Sequence, residues 1–491
     1  MRCTKEVPTL NGESLFQGYH GRVMLVACIG SLMGTLDSTI VSVSLPTITQ
    51  DLGMDGNAAL WVPAAYLVTM AVLLLTVGRY SDMYGRKKVY AAGFSLFTVG
   101  SLFCAIAGDG TQLVACRIFQ GIGGAFITAT SAAIITNSIP SAIRGRALGF
   151  FTMSVYAGLS LGPPLGGFLT ESFGWRSIFL LNLPIGIVVV ALALLWLKEG
   201  ALPERRKRFD IAGAVAFSVV LVALMLALTL IGRQGWDDAL PFVLLVIAVA
   251  GFPVFVTIER RRGSWAMFDL SLVLKNRLFA AANMSALLNY LAYFNISFML
   301  SFYLQRVLDI SIVTTGFILL ALPVTMTVVA PLSGMWSDRL GSRTLATTGM
   351  ILVAVSMLAM TSFGIHTEIW HLLLLLSMLG MGMGLFSSPN TSAVMGCVRK
   401  DQLGVASGTI SLMRTVGMSL SLVVMGLAIS VFGSPEVMAA LGDGGGGALD
   451  PQQFLDGMRA SLVISSIIAL VGAGTSSLRP RGRGTTPDES P

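Results

Sequence analysis

The chain has 491 residues, of which 54% are hydrophobic and only 12% charged, against roughly 25% charged residues in an average soluble protein. Together with a mean hydropathy of +0.78, this excludes a water-soluble fold and points to one polytopic membrane domain. The formal net charge of +7 takes its meaning from where the basic residues fall along the chain.

Apolar runs near twenty residues long, continuous rather than alternating with polar positions, predict membrane-spanning helices and not the strands of a barrel. Fourteen such runs follow one another, at 24–46, 59–78, 88–107, 112–136, 146–169, 177–197, 210–231, 240–258, 278–304, 312–335, 344–363, 369–394, 404–431 and 457–474. The first is too long for a signal-peptide core of about 7 to 15 residues and is expected to stay as span 1. The last is short and rich in Ser and Gly. The five cysteines are scattered, with no C-x-x-C pair, so neither a disulfide framework nor a metal site is indicated.

Lysine and arginine orient these spans, because cytoplasmic loops hold the positive charge. With the N-terminus inside, 26 of the 32 basic residues fall in inner segments, four (Arg176, Arg233, Arg306, Arg459) in outer loops and two (Arg117, Arg414) within spans. Both termini are therefore expected in the cytoplasm, in a multi-pass protein of the plasma (inner) membrane. Runs such as Arg205-Arg206-Lys207-Arg208 and Arg260-Arg261-Arg262 read as topology anchors near anionic lipid. No nucleic-acid partner is implied.

The inner-loop fragment Gly78-Arg79-Tyr80-Ser81-Asp82-Met83-Tyr84-Gly85-Arg86-Lys87 returns as Gly334-Met335-Trp336-Ser337-Asp338-Arg339-Leu340-Gly341-Ser342-Arg343, offset by 256 residues throughout. One copy follows span 2 and the other span 10. With spans 7 and 8 as an inserted hairpin, the order is six plus two plus six. This gives a cytoplasmic N-terminus at 1–23, an N-terminal half at 24–198, linkers and hairpin at 199–275, a C-terminal half at 276–476 and a cytoplasmic tail at 477–491. Parallel repeats of this kind are a transporter architecture, with substrate bound between the halves near mid-membrane.

These residues resemble the major facilitator superfamily, and specifically its fourteen-helix drug:proton antiporter branch (EmrB/QacA-type). The repeated loop is similar to that superfamily's inner-loop signature. The run Leu113-x-x-x-Arg117-x-x-Gln120-Gly121-x-Gly123-Gly124-Ala125 resembles its fourth-helix motif, and Gly158-x-x-x-Gly162-Pro163-x-x-Gly166-Gly167 the fifth-helix motif associated with antiporters. Leu36-Asp37-Ser38-Thr39-Ile40-Val41 before Leu45-Pro46, and Trp175-Arg176 with Phe179, Asn182, Pro184 and Gly186, resemble motifs of the fourteen-helix branch. Met83, Ser42 and Ser44 depart from the common pattern. The resemblance implies an all-α major facilitator fold with 14 transmembrane helices, and proton-coupled efflux of amphipathic organic compounds by alternating access. It implies protons as the coupling ion, no other cofactor, and a monomer working in the lipid bilayer. A metabolite or siderophore transporter of the same superfamily is the nearest alternative, and a non-transporting sensor or scaffold a remote one. An enzyme is not expected: there is no H-E-x-x-H, G-x-S-x-G or Walker loop, and no histidine deep within any span.

Asp37 is the only carboxylate well inside an apolar run. It lies about 3 Å from the middle of span 1 at 1.5 Å per residue, where an ionised Asp costs on the order of 2.5 to 3.5 kcal/mol, as suits a group that exchanges protons. Arg117 cannot cycle protons itself, but could pair with Asp37 and couple its proton to cargo; a static hydrogen-bond hub is the rival reading. Gly78, Asp82, Gly85, Arg86, Gly334, Asp338, Gly341 and Arg343 are expected to form the gating loops. Gly158, Gly162, Pro163, Gly166 and Gly167 should bend span 5 and pack it closely against the other half. Gln120, Asn283, Asn289, Tyr290, Tyr293 and Arg414 are candidates to line the substrate cavity, since aromatic and amide side chains suit an amphipathic ligand.

Overall fold

A computed structural model describes residues 18–199, 210–234, 238–262, 274, 276–398, 403–434, 437 and 450–479. The helices are α1 (Gly18–Asp51), α2 (Gly56–Tyr84), α3 (Arg86–Ala105), α4 (Gly110–Ser138), α5 (Ser141–Phe173), α6 (Arg176–Leu180 continuing as Asn182–Trp196), α7 (Ile211–Gln234) and α8 (Ala239–Arg262). They continue as α9 (Arg277–Tyr293 and Asn295–Phe302, ending in a π-turn at Tyr303–Val307), α10 (Ile312–Leu319 and Ala321–Leu340), α11 (Ser342–Met360), α12 (Ile369–Gly396), α13 (Leu403–Phe432) and α14 (Pro451–Ser477). Thirteen of these segments are long and apolar enough to cross a membrane; α5, of 33 residues, completes the fourteen helices. No strand occurs among the described residues.

Most helices outrun the apolar windows that mark them, because side-chain caps satisfy the first amide groups beyond the hydrocarbon. The Asp55 carboxylate accepts from the Ala58 amide at 2.6 Å, Asp109 from Gln112 at 2.8 Å and Asn276 from Phe279 at 3.0 Å. The Ser- and Gly-rich final span is a 27-residue helix entered through Pro451, with Asp450 accepting from the Gln452 amide.

The loop repeat has a backbone cause. Gly85 and Gly341 stop α2 and α10 at φ of 101° and 84°, a region that a Cβ disfavours. Their amides reach back to the carbonyls of Ser81 and Ser337 at 3.0 and 2.9 Å. Beside the first copy, Arg86 Nη1 donates to the Ala133 carbonyl near the end of α4, and Lys87 Nζ to Leu194 near the end of α6.

Glycine crossings carry the repeat through the bundle. A Cβ on Gly121 would meet the Tyr66 carbonyl and Thr69, and one on Gly380 the Leu322 carbonyl and Thr325; Gly93 and Gly123 abut each other as Gly349 and Gly382 do. The offset is 256 residues on α2 and α3 and 259 on α4, relative to α10, α11 and α12. Likewise Gly158 of α5 sits against Leu32, Thr35 and Leu36 of α1, and Gly417 of α13 against Leu287, Tyr290 and Leu291 of α9. α1 to α6 and α9 to α14 are thus built alike, and α7 and α8 are inserted between them.

The inserted pair packs at the seam: Leu221 and Met225 of α7 form one buried cluster with Val68 and Ala71 of α2 and Val423 of α13. α8 presents Val243, Val246, Val249 and Phe252 outward, an apolar surface of the kind that suits lipid contact.

One expectation changes. α5 stays helical through Pro163-Pro164, and its small-residue stripe faces its own half: Gly158, Gly162 and Gly166 lie against α1. Only the next face meets the other half, where Gly167 abuts Ile312 and Val313, and Gly316 abuts Pro163 and Pro164. A stripe spaced by four residues fixes one helix face, and the partner on that face is set by the tertiary arrangement. Nearby, Gln305 Nε2 donates to the Val43 carbonyl at 2.9 Å and Arg306 to the Pro46 carbonyl at 3.3 Å, joining the halves at the end of the bundle away from the termini.

Candidate functional site

Asp37, near the middle of α1, is fully enclosed, as is Arg117 of α4, and Arg117 Nη1 lies 2.8 Å from Asp37 Oδ2. Two amides complete the carboxylate's shell: Gln120 Nε2 and Asn182 Nδ2 donate to Oδ1 at 3.0 and 2.8 Å. Arg117 and Gln120 share a face of α4 one turn apart and are themselves joined, Nη1 to Oε1, at 2.5 Å. Ser101 Oγ on α3 accepts from both amides, at 2.7 and 3.2 Å, and Arg117 Nε donates to the Val62 carbonyl of α2 at 3.1 Å. Five helices therefore meet on one ion pair.

The guanidinium is sandwiched as well as bonded. Its carbon lies 4.4 Å from the Tyr66 ring centroid and 5.7 Å from that of Phe179, where ring faces favour a desolvated cation. Arg117 Nη2 and the Tyr66 hydroxyl are buried without a hydrogen-bond partner among the described residues. The site thus keeps unused bonding capacity on the cation and on the ring beneath it.

Gln120, expected as a cavity residue, belongs to this cluster and has no exposed surface. Asn182, Ser101, Tyr66 and Phe179 were not singled out as site residues. Asn182 and Phe179 stood in a motif, whereas a lone Ser and Tyr in apolar spans carry no signal of their own. On the other side of α1, the Tyr90 hydroxyl donates to the Val26 carbonyl at 2.6 Å and lies where a Cβ on Gly30 would be.

The remaining cavity candidates separate. Asn283 is buried and donates to the Phe279 carbonyl of its own helix at 2.9 Å, and Asn289 is enclosed with neither amide atom bonded among the described residues. Tyr290, Tyr293 and Arg414 come together: the two rings are 5.4 Å apart, and the Arg414 guanidinium carbon is 5.6 Å from the Tyr290 centroid. Tyr156 of α5 approaches the same group and hydrogen-bonds Ser387 of α12 across the seam at 2.6 Å.

The side chains of Asp82, Asp338 and Arg339, on which the gating expectation turns, lie outside the described residues. Burial also reveals charges that the apolar windows left at span edges. Asp210 and Glu259 are enclosed where the inserted hairpin begins and ends, and Arg479 is enclosed after α14. Arg479 bonds Asn390, and burial pushes its guanidinium down to about 10.

Comparison with known proteins places this geometry in context. The Major Facilitator Superfamily model matches residues 27–274 and 282–489. The chain is 30% identical over 399 residues to the riboflavin transporter RibZ of Clostridioides difficile, covering 81% of this chain and 86% of that one. It is 32% identical over 410 residues to the multidrug resistance protein Stp of Mycobacterium tuberculosis, covering 83% and 76%. The tetracenomycin C resistance and export protein of Streptomyces glaucescens is 29% identical over 87% of this chain and 80% of its own. Among solved structures, a D-xylose-proton symporter superposes with a TM-score of 0.67 at 15% identity, covering 96% of this chain and all of that one.

Proposed function

The chain belongs to the major facilitator superfamily and is a membrane transporter, and from that premise we propose that it exports amphipathic organic compounds in exchange for protons. The observation that carries the reading is the enclosed Asp37–Arg117 pair at the middle of the bundle. Removing two charges from water is costly unless each compensates the other. Protonating Asp37 cancels one of them and leaves Arg117 seeking a new acceptor, through an Nη2 that has none among the described residues. Ionised Asp37 and an acceptor on the cargo then compete for one guanidinium, so that protonation of Asp37 is linked to cargo binding at Arg117. The names of relatives associated with multidrug resistance and antibiotic export support an efflux cargo.

The moving parts are the halves at 24–198 and 276–476, rocking about the seam. The protein works as a monomer in the plasma (inner) membrane with both termini cytoplasmic, a reading that the distribution of Lys and Arg supports. Closure of the seam at Gln305, Arg306 and Gly167 then corresponds to an inward-facing state. Asp82 and Asp338 hold the opposite face shut when the transporter turns outward, each capping a helix of the other half. A second reading, favoured by the likeness to a riboflavin transporter, is movement of a planar metabolite by the same cycle.

Proteoliposomes with an imposed pH gradient test the proposal, using ethidium as a monovalent cation and phenylnaphthylamine as a neutral probe. Accumulation of at least one probe against its gradient, abolished by a protonophore, is expected. Movement indifferent to the pH gradient overturns proton coupling.

A further inference from the structure

The register of the glycine crossings shows what each half has kept for itself. Leu32, Thr35 and Leu36 of α1 correspond to Leu287, Tyr290 and Leu291 of α9, an offset of 255 residues, and Gly158 corresponds to Gly417, an offset of 259. By the same register Asp37 corresponds to Ala292, Arg117 to Leu376 and Gln120 to Leu379, all enclosed and apolar. The second half has no copy of the ion pair. It has a cation elsewhere: Arg414 corresponds to Val155. Where Thr35 Oγ1 donates to the Val155 carbonyl at 3.1 Å in the first half, Tyr290 faces Arg414 in the second. The first half builds this helix crossing without a cation, so packing alone does not require Arg414.

Arg414 is flanked by the buried Leu412 and Thr415, yet keeps part of its own surface open. Its neighbours are Tyr290, Tyr293 and Tyr156, and no carboxylate pairs with it among the described residues. Tyr156, Tyr290 and Arg414 each lie within about four residues of the middle of α5, α9 and α13, hence within roughly 6 Å of mid-bundle at 1.5 Å per residue. Tyr156 comes from one half and the other three residues from the second, so the group sits where cargo must pass. A permanent cation there without a counterion is costly unless an anion visits.

We infer that Arg414, with Tyr156, Tyr290 and Tyr293, is the subsite for the anionic group of a planar aromatic cargo: a monoanion whose carboxylate, sulfonate or phenolate meets the guanidinium while its rings lie against the tyrosines. The guanidinium fork matches a two-oxygen anion, and offset or edge-on ring contacts suit fused aromatic systems. This rests on the transport reading above and names its substrate class.

The test compares anilinonaphthalene sulfonate, a monoanion, with phenylnaphthylamine, which has the same rings without the sulfonate, by equilibrium binding to the full chain in nanodiscs. A charged hydrogen-bonded contact predicts a roughly 10- to 100-fold preference for the anion. That ratio is expected to fall at least about tenfold in Arg414→Gln and less in Arg414→Lys. Equal binding of the two probes by the wild-type chain, or a ratio unchanged in Arg414→Gln, overturns the assignment. If the Gln variant does not fold, the wild-type ratio and its reduction in Arg414→Lys decide. Anion-selective binding with no pH-driven movement of any probe would leave the subsite standing and remove proton-coupled export; pH-driven ethidium movement without anion preference would do the reverse.

Discussion

At the scale of single residues, Asp37 and Arg117 stabilise each other only as a pair. Breaking an enclosed ion pair from one side typically costs about 3 to 5 kcal/mol, because the remaining charge is left uncompensated. Arg117→Gln should therefore lower the thermal midpoint in detergent clearly. The double variant Asp37→Asn/Arg117→Gln should regain part of the loss, since neither charge then remains; thermal unfolding of the double variant and both single variants checks this, and additive losses would contradict it. Coupling should separate from stability. Asp37→Asn is expected to abolish accumulation against a gradient while some downhill exchange persists, as measured by counterflow in proteoliposomes. Undiminished pH-driven accumulation in that variant would remove Asp37 from the proton path.

At the scale of helices, the glycines differ in what they hold together. A Cβ on Gly382 would lie 2.8 Å from the Gly349 carbonyl oxygen and from the Val353 amide nitrogen, whereas one on Gly34 or Gly474 would meet nothing within 4 Å. Gly382→Ala should thus force α11 and α12 apart at a cost of about 1 to 3 kcal/mol. Gly34→Ala should be neutral or slightly stabilising, since alanine is the better helix former by about 1 kcal/mol. Thermal midpoints in detergent check the contrast, and similar losses at both sites would show that the crossing is not close-packed. Gly123→Ala, the first-half counterpart, is expected to behave as Gly382→Ala does.

At the scale of the whole molecule, the halves are tied at the end away from the termini by Gln305 and Arg306. Each such hydrogen bond contributes about 1 kcal/mol, enough to shift a two-state equilibrium about fivefold. Gln305→Ala should therefore open that end. Spin-label distances between the α1–α2 loop and the α9–α10 turn would lengthen in a larger fraction of molecules, and an unchanged distribution would deny the seam a gating role. Orientation can be read with the same chain. In a variant keeping Cys3 as its only cysteine, an impermeant maleimide should label inside-out vesicles and not right-side-out cells. Cys397 would add little background even if kept, because burial pushes its thiol up and leaves less thiolate to react.

What the sequence by itself determined is whatever depends on composition and local spacing. Fourteen apolar runs fix fourteen helices because lipid obliges each span to satisfy its own backbone, and the repeated Ser-x-x-x-Gly fixes two identical helix ends because only glycine adopts that backbone without strain. Asp37 and Arg117 stood out singly because charge within an apolar run is rare. Tertiary structure alone decided who meets whom. It joined Asp37 to Arg117, Gln120 and Asn182 across 80 or more residues of chain, turned the glycines of α5 toward α1, and set Arg414 beside three tyrosines with no acid among the described residues. Helical periodicity tells which residues share a face, but the partner of that face depends on how fourteen near-identical apolar cylinders are stacked, and their exteriors carry too little pattern to specify it.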